Sequence, residues 1–476
     1  MVQRGRDVAA NTASGGGLPR PTVAAGIAAL GALVAAFLFV APVGPMNLET
    51  SRVAALTVLV IVLWATNIMP PFLAALIYFG LATLFDVVPP SVVFSGFASG
   101  AFWLVFGGLV IGVAVKQTGL ATRIANAVAG RFGSTYTGLI GGVVLLGVLL
   151  SFIMPSSMGR VVLLVPIAAA LADRCGFDPT ARGRYGLLLA TVYGAHLPSF
   201  GILPANVPNM VLAGTAEAVW GTTFIYGDYF LLHFPVIGLL KALLVFGAVA
   251  VMFRDELPVD GMDYPSGEPM SADEWRLSVI MTLVLGMWAT DFLHGVAPSW
   301  VALVAGVVLL TPGIGILETK AFNRDISFSA LFFVAGGIAL GGMIAGSDLS
   351  TLLADGIERL LPLELGADAL NFALLSGTAA VIALVGTIPT APAVMVPLAD
   401  VLAALSGWSL DAVLLVQVVG FSTIFLPYQA PPLLVGVLLG EVPLGEAIRL
   451  NLVVGLVTVV VLLPLAFVWW SVLGRI

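Results

Sequence analysis

Leu203-Pro204-Ala205-Asn206-Val207-Pro208-Asn209-Met210 is answered, 223 residues later, by Leu426-Pro427-Tyr428-Gln429-Ala430-Pro431-Pro432-Leu433. In both stretches prolines and an amide side chain interrupt an apolar run. Three further pairs keep the same order. Trp64-Ala65-Thr66-Asn67 matches Trp288-Ala289-Thr290-Asp291, Phe106-Gly107-Gly108 matches Ala335-Gly336-Gly337, and Gly227-Asp228 matches Gly445-Glu446, at offsets of 224, 229 and 218. One match by itself carries little weight, but four collinear ones imply an internal duplication. In an apolar chain, a duplicated unit broken at matching positions points to a substrate path between two halves.

Composition sets the solvent. The 476 residues are 60% hydrophobic and only 9% charged, where soluble domains carry roughly 25% charged residues. Apolar runs long enough to cross a hydrocarbon core as helices recur along the chain. The runs do not alternate, which argues against a β-barrel. The fold class expected is an all-α polytopic membrane protein. The single cysteine, Cys175, rules out an intrachain disulfide and reads as an inert small residue. No P-loop, HExxH or dinucleotide fingerprint is present, and no basic patch suggests nucleic acid.

Residues 1–21 read as a cytoplasmic tail and 22–49 as a first helix with an external loop; the run from Pro21 to Pro42 is longer than a signal-peptide core. Residues 50–252 form a first repeat, 253–275 an acid-rich cytoplasmic linker, and 276–476 a second repeat. Spans are expected at about 53–69, 71–86, 99–117, 185–215 and 229–252, and again at about 277–293, 298–316, 327–346, 411–440 and 446–473. Proline-broken pairs fall at 138–171 and 370–405. Each repeat thus has five spans plus one re-entrant hairpin, for about 11 transmembrane helices in total. Arg4, Arg6 and Arg20 place the N-terminus inside. Lys116, Arg123, Arg131, Arg182, Arg254, Lys320 and Arg324 then also fall inside, with Arg475 as the exception. An odd number of crossings per repeat makes the two copies run in opposite directions, an inverted repeat.

The hairpins break at Met154-Pro155-Ser156-Ser157-Met158-Gly159-Arg160 and at Gly386-Thr387-Ile388-Pro389-Thr390-Ala391-Pro392. Proline lacks the N–H a helix needs, and backbone opened at membrane depth survives only where it lines a cavity or is buried in protein. The return arms would then present free N–H groups to an anion, while opened carbonyls and the amides of Asn206, Asn209 and Gln429 offer oxygens to a small cation. Two short spans joined by an ordinary turn are the other reading of each pair. Arg160 is either a fixed positive charge for an anion or a solvated loop residue. His196 is either a proton relay or a histidine packed between helices. His233 and His294 read as interfacial, and Lys241 as a snorkelling residue near the cytoplasmic face.

At these breaks the chain resembles the divalent anion/sodium symporter family, carriers of dicarboxylates and sulfate within the ion transporter superfamily. Ser156-Ser157-Met158 followed by Pro166, Thr387-Ile388-Pro389 followed by Pro397, and Asn206-Val207-Pro208-Asn209 carry the likeness, with Gln429-Ala430-Pro431-Pro432 a looser match. The resemblance covers about residues 50–473. It implies a homodimer working by alternating access. The asparagine that the family carries at each tip is replaced here, by Ser157 and Ile388, so this is a divergent member.

The function expected is secondary active transport of a small anion such as a dicarboxylate or sulfate, with sodium as the coupling cation that the resemblance suggests. The substrate residues expected are Ser156, Ser157, Arg160, Asn206, Thr387, Thr390 and Gln429; the ion-binding residues expected are Ser156, Ser157, Asn209 and Thr387. No catalytic residue and no other cofactor is expected. A smaller anion, proton coupling or exchange stay open, as do an anion channel and a metalloid or sodium/proton carrier of the same superfamily. A membrane-embedded enzyme ranks last.

Overall fold

The computed structural model describes residues 23–257 and 269–476. The expected tail at 1–21 and the middle of the expected linker lie outside the described residues. Every regular element described is helical. After α1 (Val23–Val40) come α2 (Leu48–Thr66), α3 (Pro71–Leu84), α4 (Gly100–Thr118) and α5 (Leu120–Phe132). The first hairpin is α6 (Tyr136–Ile153) and α7 (Ser157–Arg174), followed by α8 (Arg182–His196), α9 (Val207–Trp220) and α10 (Tyr226–Met252).

The second half repeats this order: α11 (Ala272–Ala289), α12 (Pro298–Leu310), α13 (Phe328–Ala345), α14 (Leu349–Leu360), the hairpin α15 (Asp368–Val385) and α16 (Thr390–Ser406), then α17 (Leu410–Phe421), α18 (Pro431–Leu439) and α19 (Leu444–Val472). Eight of the described helices are long and apolar enough to cross a membrane. Others are short or broken, as the prolines require. The amphipathic helices α5 and α14 fall where the sequence reading expected polar loops.

Local signals set the helix ends. Asn47, Ser99, Thr135, Ser156, Asn206 and Ser409 each accept a first-turn N–H and so cap a helix. Gly119 and Gly407 end helices at φ +80° and +75°, where a β-carbon would be strained. Both closing helices contain a π-helical stretch, Phe234–Leu240 in α10 and Thr458–Leu462 in α19.

The halves match in their contacts as well as their order. Trp64 Nε1 donates to Pro71 O at 3.1 Å, and Trp288 Nε1 donates to Pro298 O at 3.1 Å. A β-carbon on Gly107 of α4 would sit 2.2 Å from Ala302 O on α12, and one on Gly336 of α13 would sit 2.5 Å from Ala75 of α3. Each half therefore inserts its glycine helix against the partner half, and close backbone approach holds the two together. Matching helices also lie end to start. Gln117 near the end of α4 donates to Asp325, just before α13, at 2.7 Å. Trp469 near the end of α19 donates to Leu231 O near the start of α10. Arg475, the expected exception to the charge rule, pairs with Asp228 at the same end at 3.2 Å.

Candidate functional site

The prolines place the site. Helix α8 stops at His196 and the chain turns through Leu197–Gly201 and Leu203–Ala205 before α9 begins. Pro208 falls in the first turn of α9, where a missing N–H costs nothing. In the second half, the chain opens after Phe421 and α18 restarts at Pro431. The hairpin tips are buried: Ser157 and Thr387 are almost inaccessible, and Ile388 and Thr390 fully so. They are not surface turns.

Both tips and both breaks meet at one cavity of about 480 Å³. Ser156, Ser157, His196 and Asn206 face it from the first half, and Thr387, Ile388, Tyr428 and Gln429 from the second. Most of the remaining wall is apolar. Lys116 and Asp325 also line it. The Arg324 guanidinium, hydrogen-bonded to Asp325, holds that carboxyl below the usual range.

Hydrogen bonds organise the polar wall. Ser156 Oγ accepts from Gly159 N at 3.1 Å, capping α7. Ser157 Oγ lies 3.4 Å from Ser199 Oγ, and Asn206 Nδ2 donates to Ser199 Oγ at 3.3 Å. The Ser199 hydroxyl thus joins tip to break. Asn206 Oδ1 caps α9 by accepting from Asn209 N at 3.0 Å. Opposite, Thr387 N donates to Thr390 Oγ1 at 3.3 Å. Gln429 Oε1 accepts from Phe425 N at 2.8 Å and Leu426 N at 2.9 Å. Two N–H donors can only face an oxygen, so the Gln429 orientation is fixed; its amide nitrogen, buried at the cavity wall, has no partner among the described residues.

Several expected residues stand elsewhere. Asn209 is buried behind the wall, donating to Phe200 O and Ile202 O, and Thr390 packs behind Thr387. Arg160 does not line the cavity. Its guanidinium donates to Ala195 O at 2.9 Å, Ala205 O at 3.1 Å, Ser157 Oγ at 3.0 Å and Met154 O. Opened backbone leaves carbonyls without partners, and the guanidinium turns toward them rather than into the cavity. Lys241 does not snorkel. It lies mid-helix in α10, buried, and donates to Ser422 O at 2.9 Å and Ser422 Oγ at 3.1 Å.

His196 is buried and packs edge-on against Phe200, and both its ring nitrogens lack partners among the described residues. His233, expected at an interface, is fully buried beside Tyr229 and Trp470. His294 is exposed. Ser199 and Tyr428 were missed. Pro198 signalled that the first break opens before Leu203, and Tyr428 lies inside the quoted repeat.

Two buried tips and two opened spans around one cavity define a secondary transporter, whose broken segments build a site between its halves. A family model described as "Citrate transporter" (CitMHS) matches residues 61–420. The chain belongs to the citrate transporter family, and it is a carrier of small anions rather than an enzyme. A membrane protein of Cupriavidus necator is 25% identical over 94% of this chain and 92% of its own length. A protein of Staphylococcus saprophyticus named sodium-dependent dicarboxylate transporter SdcS is 22% identical over 66% of this chain and 67% of its own. The crystal structure of the Alcanivorax borkumensis YdaH transporter shares the fold, with a TM-score of 0.57 over 90% of this chain and 98% of that one at 18% identity.

Proposed function

We propose that the cavity between the two tips takes a di- or tricarboxylate anion and carries it across the cytoplasmic membrane by alternating access. The convergence of both tips and both breaks on one cavity of about 480 Å³ is the observation that carries this reading. Within it, Ser156, Ser157, Asn206, Thr387 and Gln429 bind the carboxylates; the free Gln429 amide and the hydroxyls are donors an anion needs. Arg160, Thr390 and Asn209 act from behind them.

Residues 50–252 and 276–476 are read as an inverted repeat joined by the linker at 253–275. The end-to-start placement of α4 against α13 and of α19 against α10 supports this. With the N-terminus in the cytoplasm, Lys116 and Asp325, which border the cavity, lie on the cytoplasmic side. A homodimer is the assembly proposed. Relatives named sodium-dependent make sodium the first coupling ion to test.

The test is uptake of labelled citrate and succinate by the reconstituted protein, with sulfate as a comparison. Saturable uptake of either carboxylate, competed by the other, is expected. Uptake of sulfate with neither carboxylate competing would reject the substrate class.

A further inference from the structure

In carriers with broken spans, unwound carbonyls and the C-terminal ends of half-helices are the groups that hold a coupling sodium ion. At the first tip and the first break of this chain those oxygens are already taken. The Arg160 guanidinium is completely buried and donates to Met154 O at the end of α6, Ala195 O in the last turn of α8, and Ala205 O within the break. Its fourth partner is Ser157 Oγ. This is the set of tip and break oxygens that a small hard cation would need. The planar group spans tip and break.

The second break also receives a buried cation, here from α10 of the first half. Ser422 follows directly on α17, the counterpart of α8, and its carbonyl and hydroxyl oxygens receive the Lys241 ammonium. Both cations therefore sit at the negative end of the first half of a broken span. Neither has a carboxylate within ion-pair distance among the described residues. A buried charge without water or an acid needs oxygens in their place. Carbonyls supply them here, so these are not members of ordinary ion pairs. Ser157 completes the link: the same hydroxyl that accepts from Arg160 faces the cavity. The positive charge thus stands one side chain behind the place where an anion would lie.

We propose that Arg160, with Lys241 at the second break, is a built-in cation occupying the position of a coupling sodium ion, so that the anion is bound and carried without sodium. This rests on the carrier reading above. It separates the chain from relatives whose names include sodium dependence, and it fits the loss of the tip asparagine at Ser157, since a site already filled has no use for a further oxygen ligand.

Two measurements on the full chain decide it. The first is the unfolding midpoint of the purified protein in sodium chloride and in choline chloride at equal ionic strength, which needs no knowledge of the substrate. An ion bound only by the folded state raises the midpoint with its concentration. No sodium-specific rise is expected for the native chain. Arg160→Ala opens the cage and is expected to gain one.

A saturable, sodium-specific rise in the native chain overturns the proposal, and so does a folded Arg160→Ala that stays indifferent to sodium. Should that variant fail to fold, the native measurement still decides. The second measurement is proteoliposome uptake of citrate and succinate, where the sodium-to-choline rate ratio is expected to be about 1. Sodium-driven uptake overturns the inference and leaves the carrier reading intact. A sodium-indifferent midpoint with no uptake of either anion does the reverse.

Discussion

Gln429→Glu separates the binding role of this side chain from its structural one. The native Oε1 accepts from Phe425 N and Leu426 N, which holds the opened backbone of the second break, while the amide nitrogen, buried beside the cavity, has no partner among the described residues. Glutamate is the same size and keeps an oxygen for both N–H groups, so the fold is expected to survive. What changes is the group facing the substrate: a donor becomes a carboxylate. Two like charges about 4 Å apart at an effective dielectric of about 20 repel by about 4 kcal/mol. At 1.4 kcal/mol per tenfold, carboxylate affinity should fall by about 10³. Gln429→Leu is the opposite case. It leaves two buried N–H groups without an acceptor, at about 1–3 kcal/mol each, and should lower the unfolding midpoint while abolishing uptake. The assay is concentration-dependent uptake into proteoliposomes alongside thermal unfolding of each variant. A folded Gln429→Glu protein with the native half-saturation constant would refute the claim that this amide meets the anion.

The same glycine-to-alanine change should have opposite signs at two helical sites. At Gly107 the methyl meets the Ala302 carbonyl at 2.2 Å, and such overpacking costs about 1–3 kcal/mol. At Gly247 it meets nothing within 4 Å and should stabilise α10 by up to about 1 kcal/mol, as unfolding midpoints will report. Asn206→Ala removes the cap of α9 and the donor to Ser199, which should cost about 1 kcal/mol and raise the half-saturation constant for uptake. At the polar end of α11, Arg123 holds the Glu274 carboxyl down at about 2. A depressed carboxylate contributes stability above its ordinary pKa and loses it as pH falls through the depressed one. The native chain should therefore exceed Glu274→Gln by a constant margin above about pH 4.5, and the margin should shrink toward pH 2.

The prolines and the repeat made the architecture legible before any coordinates. Helix breaks at Pro155, Pro389, Pro208 and Pro431 follow from a missing donor, which is a local property that sequence displays directly. The amphipathic helices α5 and α14 fall between the expected spans because their charges, Arg123 and Arg131 in one and Asp355, Glu358 and Arg359 in the other, lower the mean hydropathy although they occupy only one face of a helix. The π-helical stretches left no such mark. Where a long side chain points is also not local. Arg160 and Lys241 were read by residue type and distance from a span end, yet each goes where unpaired carbonyls are, and those are placed by segments 35 and 181 residues away.

The two halves share one order of elements, but the two tips are chemically unequal. The first presents Ser156, Ser157 and Asn206, with Ser199 and a guanidinium behind them. The second presents Thr387 between apolar Ile388 and Pro389, with the Gln429 amide as its remaining free donor. A carboxylate loses its hydration shell in such a cavity and settles where donors and positive potential replace it. Its most highly charged end therefore belongs at the first tip, and the second tip is left to read the length of the carbon skeleton. Substitutions at Ser157 should then weaken every anion alike, whereas substitutions at Ile388 should shift the preference between short and long acids with little effect on the best one. Equal losses for all acids at Ile388, measured by competition against labelled succinate, would show that the two tips divide the work differently.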